Sequence, residues 1–273
     1  MSSAEPTAPG PGTVRTATVD RRAQHPIVAM RRISKVYATG DAEVHAVRDL
    51  SLTIERGDFV AIMGASGSGK STMVHIIGCL DVPTQGWYWL DGIDVRLLDE
   101  VALAEVRSRK IGFVFQSYNL IPRMSALANV ELPLAYAGIR RHDRRERAIA
   151  AIAAVGLTER MSHMPSEMSG GQQQRVAVAR AIVTNPAMIL ADEPTGNLDT
   201  AAAEDVMRIF SRLNADGRTV VLITHEADIA AFAKRVIRLR DGQVVEDYRE
   251  TAVGDLPPRL GSERTIRTVG HQA

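Results

Sequence analysis

This sequence of 273 residues has a single cysteine, almost no net charge and no long apolar run. The one cysteine, Cys79, excludes an intrachain disulfide framework and fits a reducing compartment such as the cytosol. The longest obvious apolar run, Ala148 to Val155, is far shorter than the roughly 20 residues that a helix needs to cross a bilayer. The N-terminus lacks the basic start and apolar stretch of a secretory signal, so we expect the protein to stay on the cytoplasmic side.

The charges of the chain nearly cancel, because 33 Lys and Arg residues balance 32 Asp and Glu residues and leave a formal net charge of +1. Such a balance gives no broad electrostatic attraction to nucleic acid or to an anionic lipid surface. We therefore expect no nucleic-acid partner, and any polyanion must be held by local groups. The apolar fraction of 45% is sufficient for a well-buried core.

Composition divides the chain into one folded unit and two tails. Residues 1–25 are rich in Ala, Pro, Thr, Ser and Gly without periodicity, and residues 251–273 are again polar and aperiodic. Such segments bury too little surface to offset the entropy of ordering, so we predict that both tails are disordered. The folded unit then extends from about residue 27 to about residue 250.

Apolar patterns inside this unit predict an α/β fold. Imperfect alternation indicates two antiparallel strands, at residues 27–37 and 44–54. Short apolar runs bounded by polar or turn residues predict buried parallel strands at 59–63, 111–115, 188–191 and 219–223. An apolar-periodic segment at 71–79 predicts a helix after the first of these strands, and candidate helices at 126–136 and 143–155 predict a mostly helical insert.

A glycine-rich segment between the strand at 59–63 and the helix at 71–79 is the strongest chemical signal in the sequence. It reads Gly64-Ala65-Ser66-Gly67-Ser68-Gly69-Lys70-Ser71, and Thr72 follows. This is the phosphate-loop pattern, in which backbone N–H groups converge on phosphate oxygens at a helix N-terminus. Lys70 would reach the β- and γ-phosphates, and the Ser71 hydroxyl can bind Mg²⁺. The alternative is a flexible Gly/Ser turn, which the strand–loop–helix order disfavours.

Two acidic residues, Asp192 and Glu193, directly follow the apolar run at 188–191. At the end of a buried parallel strand such side chains can face a ligand, where Asp192 suits Mg²⁺ and Glu193 can deprotonate an attacking water. Alone, an acidic pair after a strand is more often a solvated strand end. The phosphate loop in the same chain favours the catalytic interpretation.

A second glycine-containing helix start is indicated at Ser169-Gly170-Gly171-Gln172, before an apolar-periodic stretch. It could bind a second anion, or Ser169 could be an ordinary helix N-cap. One nucleotide does not need two such helix starts. Ser169 also lies 99 residues beyond Lys70 (169 minus 70), so supply of this helix start to another subunit is plausible.

These motifs, in this order, resemble those of the ABC ATPase family over about residues 27–247, with Met168 to Gln172 as the family signature. Met168 departs from the usual Leu but is apolar and of similar volume, so packing should survive. The resemblance implies an α/β fold with a P-loop NTPase core and mostly parallel sheet, an antiparallel β subdomain and a helical signature subdomain. It implies ATP and Mg²⁺ as cofactors, with Ser71, Gln116 and Asp192 as metal ligands.

The resemblance also assigns roles that the residues alone would not reveal. Tyr37 looks like the aromatic residue that stacks on adenine, and Gln116 like the loop glutamine that joins the metal site to the membrane partner. His225 looks like the histidine that senses the γ-phosphate, and Asp199 like a dimer contact. By themselves these would be a strand aromatic, two strand-end polar residues and an ordinary turn.

The implied assembly is a head-to-tail homodimer that works with a separate membrane permease on the cytoplasmic face of the inner membrane. Gln116 to Pro122 and Asn129 to Pro133 are similar to the lipoprotein-releasing and macrolide-exporting branch, whose partners have few transmembrane helices. The branch implies export or mechanical work across the membrane. A non-transport regulator, which drives a membrane partner that activates a cell-wall enzyme, would have the same active site. A DNA-repair ABC ATPase is disfavoured, because the short spacing from phosphate loop to signature leaves no room for long coiled coils.

Overall fold

The computed structural model describes residues 25–39 and 42–249. This region consists of strands, which pair into two sheets, and helices, which connect the strands. The strands are β1 (Val28–Thr39), β2 (Ala42–Ile54), β3 (Phe59–Gly64), β4 (Gln85–Leu90), β5 (Ile93–Asp94), β6 (Ile111–Phe115), β7 (Met188–Asp192), β8 (Thr219–Thr224), β9 (Arg235–Arg240) and β10 (Gln243–Arg249). The helices are α1 (Lys70–Ile77), α2 (Glu100–Lys110), α3 (Ala126–Tyr136), α4 (Arg141–Ala154), α5 (Gly170–Ile182), α6 (Thr200–Ala215) and α7 (Ala227–Ala230).

The strands form one mostly parallel sheet and one antiparallel sheet. The larger sheet has the order β10-β9-β3-β8-β7-β6, in which only β10 runs antiparallel to its neighbour. The smaller sheet has the order β2-β1-β4-β5 and is antiparallel throughout. Because the parallel strands share one direction, their carboxyl ends meet at one edge, where the phosphate loop leaves β3.

The apolar side chains of the parallel sheet pack into a separate core on each face. Along β3, Phe59, Ala61 and Met63 belong to the core that includes the helical insert, whereas Val60 and Ile62 belong to the core under α1 and the antiparallel sheet. This alternation follows from the two-residue period of a strand. Both faces are thus buried, which explains the continuous apolar runs of the sequence.

The predicted elements agree with the observed ones to within a few residues. The antiparallel pair, the four buried strands and the first helix are present, and α3 spans the predicted 126–136. The helix predicted at 143–155 begins earlier, at Arg141, and ends at Ala154. The predicted tails lie outside the described residues apart from His25, and so does the loop at residues 40–41.

Candidate functional site

The phosphate loop lies where β3 ends and α1 begins. Gly69 is the N-cap residue of α1 and adopts a left-handed conformation with φ of 97°. The Lys70 ammonium folds back onto the loop and donates to the carbonyl oxygens of Gly64 and Ala65 at 2.6 and 2.8 Å. Lys70 therefore occupies the centre of the loop, and phosphate oxygens would compete with these two carbonyls for its protons.

Close packing explains why glycine is required at Gly64 and Gly69. A Cβ atom on Gly64 would lie 2.3 Å from the Ser68 hydroxyl oxygen, and one on Gly69 would lie 2.5 Å from the Ala46 carbonyl oxygen of β2. Ser68 is buried, and its hydroxyl has no hydrogen-bond partner among the described residues. The loop is therefore folded tightly on itself and against the antiparallel sheet, while Ala65, Ser66 and Gly67 remain exposed.

The predicted acidic pair lies at the end of β7, the strand between β6 and β8: Asp192 is the last residue of β7, and Glu193 follows it. Burial raises the pKa of the Asp192 carboxyl above its usual value, and the neighbouring Glu193 carboxylate raises it further; the charges of His75 and Lys70 act in the opposite direction. Two close carboxyl groups at the edge of the sheet form a site in which added positive charge would be favourable.

Glu193 and His225 form a hydrogen-bonded pair at the same edge of the sheet. The Glu193 backbone is left-handed, with φ of 46°, and its N–H donates to the Ile223 carbonyl oxygen at 2.9 Å. Oε1 of Glu193 lies 2.8 Å from Nδ1 of His225, and the hydrogen bond from Glu193 raises the pKa of His225. Oε2 of Glu193 is buried, and the described residues supply it with no partner.

The three predicted metal ligands differ in their placement. Asp192, the last residue of β7, pairs with Phe115, the last residue of β6, so the backbone of Gln116 starts next to Asp192. The Gln116 side chain, however, donates from Nε2 to Asn197 Oδ1 at 3.2 Å, and Asn197 returns a hydrogen bond to the Gln116 carbonyl oxygen at 3.1 Å. Ser71 is exposed in the first turn of α1. Hydroxyl, carboxylate and amide oxygens fit a Mg²⁺ ion, and the Gln116 bond to Asn197 uses Nε2, which leaves Oε1 as the amide oxygen for a metal.

The second predicted helix start is the N-terminus of α5. Ser169 is the N-cap residue: its hydroxyl accepts from the Gln172 N–H at 3.3 Å, and Gln172 Oε1 accepts from the Ser169 N–H at 3.1 Å. This reciprocal pair fixes the direction of the first turn. Gly170 and Gly171 have close neighbours, because Cβ atoms there would lie 2.7 Å from the Tyr118 hydroxyl and 2.8 Å from Ala202 Cβ.

Side chains of α5 connect this helix to the residues around Gln116. Gln174, which is fully buried, donates through Nε2 to the carbonyl oxygens of Phe115 and Pro194 at 3.3 and 2.6 Å. Arg180 donates to the carbonyl oxygens of Tyr118 and Asn119 at 2.8 and 2.6 Å. Among the described residues, no hydrogen bond or ion pair joins Ser169–Gln172 to the phosphate loop. The two helix starts are thus separate surfaces of one chain.

Tyr37 and Asp199 are both partly or fully exposed. Tyr37 is half-buried on β1, and its hydroxyl donates to Oδ2 of Asp81 at 3.1 Å. Asp199 is exposed and caps α6, since its carboxylate accepts from the Ala202 N–H at 2.8 Å. The dimer contact of Asp199 stays a prediction.

Sequence reasoning missed three residues that contact the predicted site: Asn197, Gln174 and Asp81. Asn197 and Gln174 lie within or next to motifs that were singled out, so their proximity could have been suspected. Asp81 lies 44 residues from Tyr37, and nothing in the sequence pairs the two.

Comparison with known proteins identifies the family of this chain. Residues 47–196 match the family described as ABC transporter. The chain belongs to this family, as an ATP-binding and ATP-hydrolysing subunit of the kind that dimerises and pairs with membrane permease components. Within the described residues, no helix combines the length and the apolar character that crossing a membrane demands.

The individual relatives narrow the comparison further. YvrO of Bacillus subtilis, an ABC transporter ATP-binding protein, is 50% identical over 223 residues, which cover 82% of this chain and 97% of YvrO. The macrolide export ATP-binding/permease protein MacB of Rhodospirillum rubrum is 51% identical over 241 residues, 88% of this chain but 36% of MacB. The cassette MJ0796, solved as a dimer bound to ADP and Pi, is 45% identical with a TM-score of 0.75, and the match covers 81% of this chain and 98% of that one.

The relatives place the chain in the predicted macrolide-exporter-like branch. They also favour a transporter subunit over the non-transport regulator. The chain spans about a third of the length of these MacB proteins.

Proposed function

We propose that two copies of this chain close head to tail, with each ATP held between Lys70 of one copy and Ser169 with Gly171 of the other. The observation that carries the proposal is the presence of two separate helix N-termini with glycine-rich starts in one chain. A single nucleotide needs one of them. The dimeric form of the MJ0796 cassette, at 45% identity, supports the pairing.

In each composite site, the phosphate loop (Gly64–Thr72) wraps the phosphates through its backbone N–H groups. Lys70 exchanges its two carbonyl partners for β- and γ-phosphate oxygens. Glu193 accepts the proton of the attacking water, a role worth about 10² to 10⁴ in rate. His225, already paired with Glu193, orients this carboxylate and donates toward the γ-phosphate. Gly170 and Gln172 complete the second half of the site.

Mg²⁺ is the expected metal, with Ser71, Asp192 and Gln116 as its protein ligands. When bound, it neutralises charge on the β- and γ-phosphates. The close Asp192 and Glu193 carboxyl groups support this assignment, because burial and then the Glu193 carboxylate raise the pKa of Asp192, which a nearby cation would offset. Gln116 would hold the metal through Oε1 while Nε2 stays bonded to Asn197, and we infer that this link transmits nucleotide occupancy to the membrane partner.

Hydrolysis removes the γ-phosphate that bridges the two copies, so the dimer opens and a membrane permease does the work. Asp199 lies at the interface beside the opposite site, and Tyr37 stacks on the adenine. We place the subunit peripherally on the cytoplasmic face of the cell membrane. Its permease has few transmembrane helices and acts in export or in mechanical work across the membrane. The MacB relatives, named as macrolide export ATP-binding/permease proteins, support the pairing with a permease and export.

The test is purification of tagged Glu193→Gln from gently solubilised membranes with and without ATP. Loss of the general base should leave ATP binding intact and trap closed dimers, and the permease should be recovered with them and identified by mass spectrometry. Lys70→Met/Glu193→Gln is the matched control, which should give neither dimer nor nucleotide. A Glu193→Gln protein that stays monomeric with saturating ATP would contradict the composite site, and ATP-dependent dimers without a membrane protein would contradict the partner.

A further inference from the structure

Three side chains form a network around the proposed adenine-stacking residue. Lys35 and Tyr37 lie two positions apart on β1, where a strand directs both to the same face. Asp81 comes from the segment that follows α1. Its Oδ1 accepts from the Lys35 ammonium at 2.7 Å, and its Oδ2 accepts from the Tyr37 hydroxyl at 3.1 Å. The Asp81 carboxylate therefore binds both Lys35 and Tyr37 of β1.

Lys35 is held against one face of the Tyr37 ring. Its ammonium lies 5.0 Å from the ring centroid and also donates to the Val82 carbonyl oxygen at 2.9 Å. Only 13% of the Lys35 side chain is exposed, which strengthens attraction between the cation and the ring. Since the cation covers one face, a planar ligand can stack on the opposite face only.

The network also connects the ring to the phosphate loop. In the β1–β2 pair Tyr37 lies opposite Val44, two residues from Ala46, whose carbonyl oxygen packs against Gly69. Asp81 follows the last turn of α1, and its N–H donates to the His75 carbonyl oxygen at 3.1 Å. The strand pair is thus joined to both ends of the helix that begins with Lys70. The distance from ring to phosphate loop is fixed by packed elements.

We propose that Lys35 and Asp81 are positioning residues for the base of the nucleotide, since Asp81 fixes the Tyr37 hydroxyl and Lys35 reserves one ring face for stacking. The inference rests on the proposed role of Tyr37. Recognition through a ring face requires a planar base with a large π-surface, so the site selects purine nucleoside triphosphates over base-free polyphosphates. Neither residue touches the reacting phosphates.

The charge state of Asp81 agrees with this arrangement. Burial alone would raise the pKa of the Asp81 carboxyl, but hydrogen bonds from Lys35, the Val82 N–H and Tyr37 outweigh burial and hold the pKa below its usual value. The carboxylate is therefore ionised at neutral pH. Asn at this position would retain an oxygen acceptor for the Val82 N–H while it loses the charge that holds Lys35.

The experiment compares Asp81→Asn and Lys35→Met with wild type by calorimetric titration of Mg-ATP and of Mg-tripolyphosphate, which lacks the base. Both variants should weaken ATP binding about three- to tenfold, in line with one cation–π contact, and leave tripolyphosphate binding within about twofold. KM for ATP should rise while kcat is kept. Asp49→Asn is the matched control: this carboxylate pairs with Arg32 on the same sheet but is exposed, and it should change nothing.

A double-mutant cycle with Tyr37→Leu separates this inference from the role of Tyr37. If Tyr37→Leu leaves ATP affinity unchanged, the stacking role itself is wrong. If it weakens ATP binding while Asp81→Asn and Lys35→Met do not, the positioning role is wrong. Equal loss of ATP and tripolyphosphate affinity would also overturn it, because the network would then support α1 and not the base. In the Tyr37→Leu background, we expect Asp81→Asn to have no further effect.

Discussion

At the scale of single residues, the pair of Glu193 and His225 defines the resting chemistry of the site. A hydrogen bond of 2.8 Å joins them, and it favours the protonated imidazole. Glu193, the proposed general base, is therefore hydrogen-bonded to His225 before a nucleotide binds. The other Glu193 oxygen, buried and without a partner among the described residues, is the atom left to bind a water.

This pairing predicts a pH dependence that can be measured on His225 itself. Its pKa is raised in the folded chain, so the stabilising pair is complete below the unfolded value of about 6.5 and is lost as the pH rises through the folded value. An NMR titration should give His225 a midpoint above 6.5, and Glu193→Gln should lower it. Glu226→Gln is the control and should lower the midpoint less, because Glu226 contributes a weaker attraction. An unchanged midpoint in Glu193→Gln would contradict the pair.

At the scale of elements, α5 joins the helical insert to the parallel sheet. Gln174 holds the end of β6 and the turn after Glu193, and Arg180 holds the carbonyl oxygens of Tyr118 and Asn119. Both of these residues are left-handed, with φ of 58° and 50°, a conformation that costs energy unless neighbours enforce it. The helix that carries Ser169 therefore also shapes the loop that carries Gln116.

The tight approach of α5 to β6 predicts contrasting effects of two glycine substitutions. A Cβ atom at Gly112 would lie 2.3 Å from the Ala181 carbonyl oxygen, a backbone atom that cannot move without shifting the helix. Gly112→Ala should cost about 3 kcal/mol of unfolding free energy, measured by urea denaturation. Gly196→Ala is the matched control, because its methyl would meet only the end of the Gln116 side chain, and it should cost less than about 1 kcal/mol. Similar losses in both would contradict the packing.

The sequence predicted the strands with continuous apolar runs and several helices, and it did not predict a number of other elements. The runs of β3, β6, β7 and β8 are apolar because both faces of the parallel sheet are buried. β4, β9 and β10 were not predicted; burial alternates along Gln85–Leu90, but residues 87–90 are all apolar. α2 was not predicted either, and Leu103 is its one buried residue. α6 was also not predicted, although its buried residues recur at helical spacing along one face.

The candidate site shows the same division between local and distant information. Local motifs identified Lys70, Ser169 and Glu193, because their chemistry depends on adjacent residues in a loop or a helix start. The partners of Gln116 and Tyr37 lie 81 and 44 residues away in the chain, and only folding brings them together. Sequence reasoning therefore predicted groups that would contact a nucleotide but not the residues that hold these groups in place.

At the scale of the whole molecule, the proposed assembly gives each chain two halves of different nucleotide sites. The phosphate loop, Asp192, Glu193 and His225 lie at the carboxyl edge of the parallel sheet, and Ser169 begins a helix of the insert. Gln116 lies between them, bonded to Asn197 on the segment that leads to Asp199. In this arrangement one chain alone completes neither site, so a second copy must supply the missing half of each.

Complementation between two defective variants tests this requirement most directly. Lys70→Met/Glu193→Gln removes the phosphate-loop half, and Ser169→Arg/Glu193→Gln removes the helix-start half. Each alone should remain monomeric with ATP in sedimentation equilibrium. An equimolar mixture should form dimers that hold about one ATP each, because only the mixed pair assembles one intact composite site. If the mixture stays as monomeric as its components, or if the Ser169→Arg variant dimerises alone with ATP, the head-to-tail account is wrong.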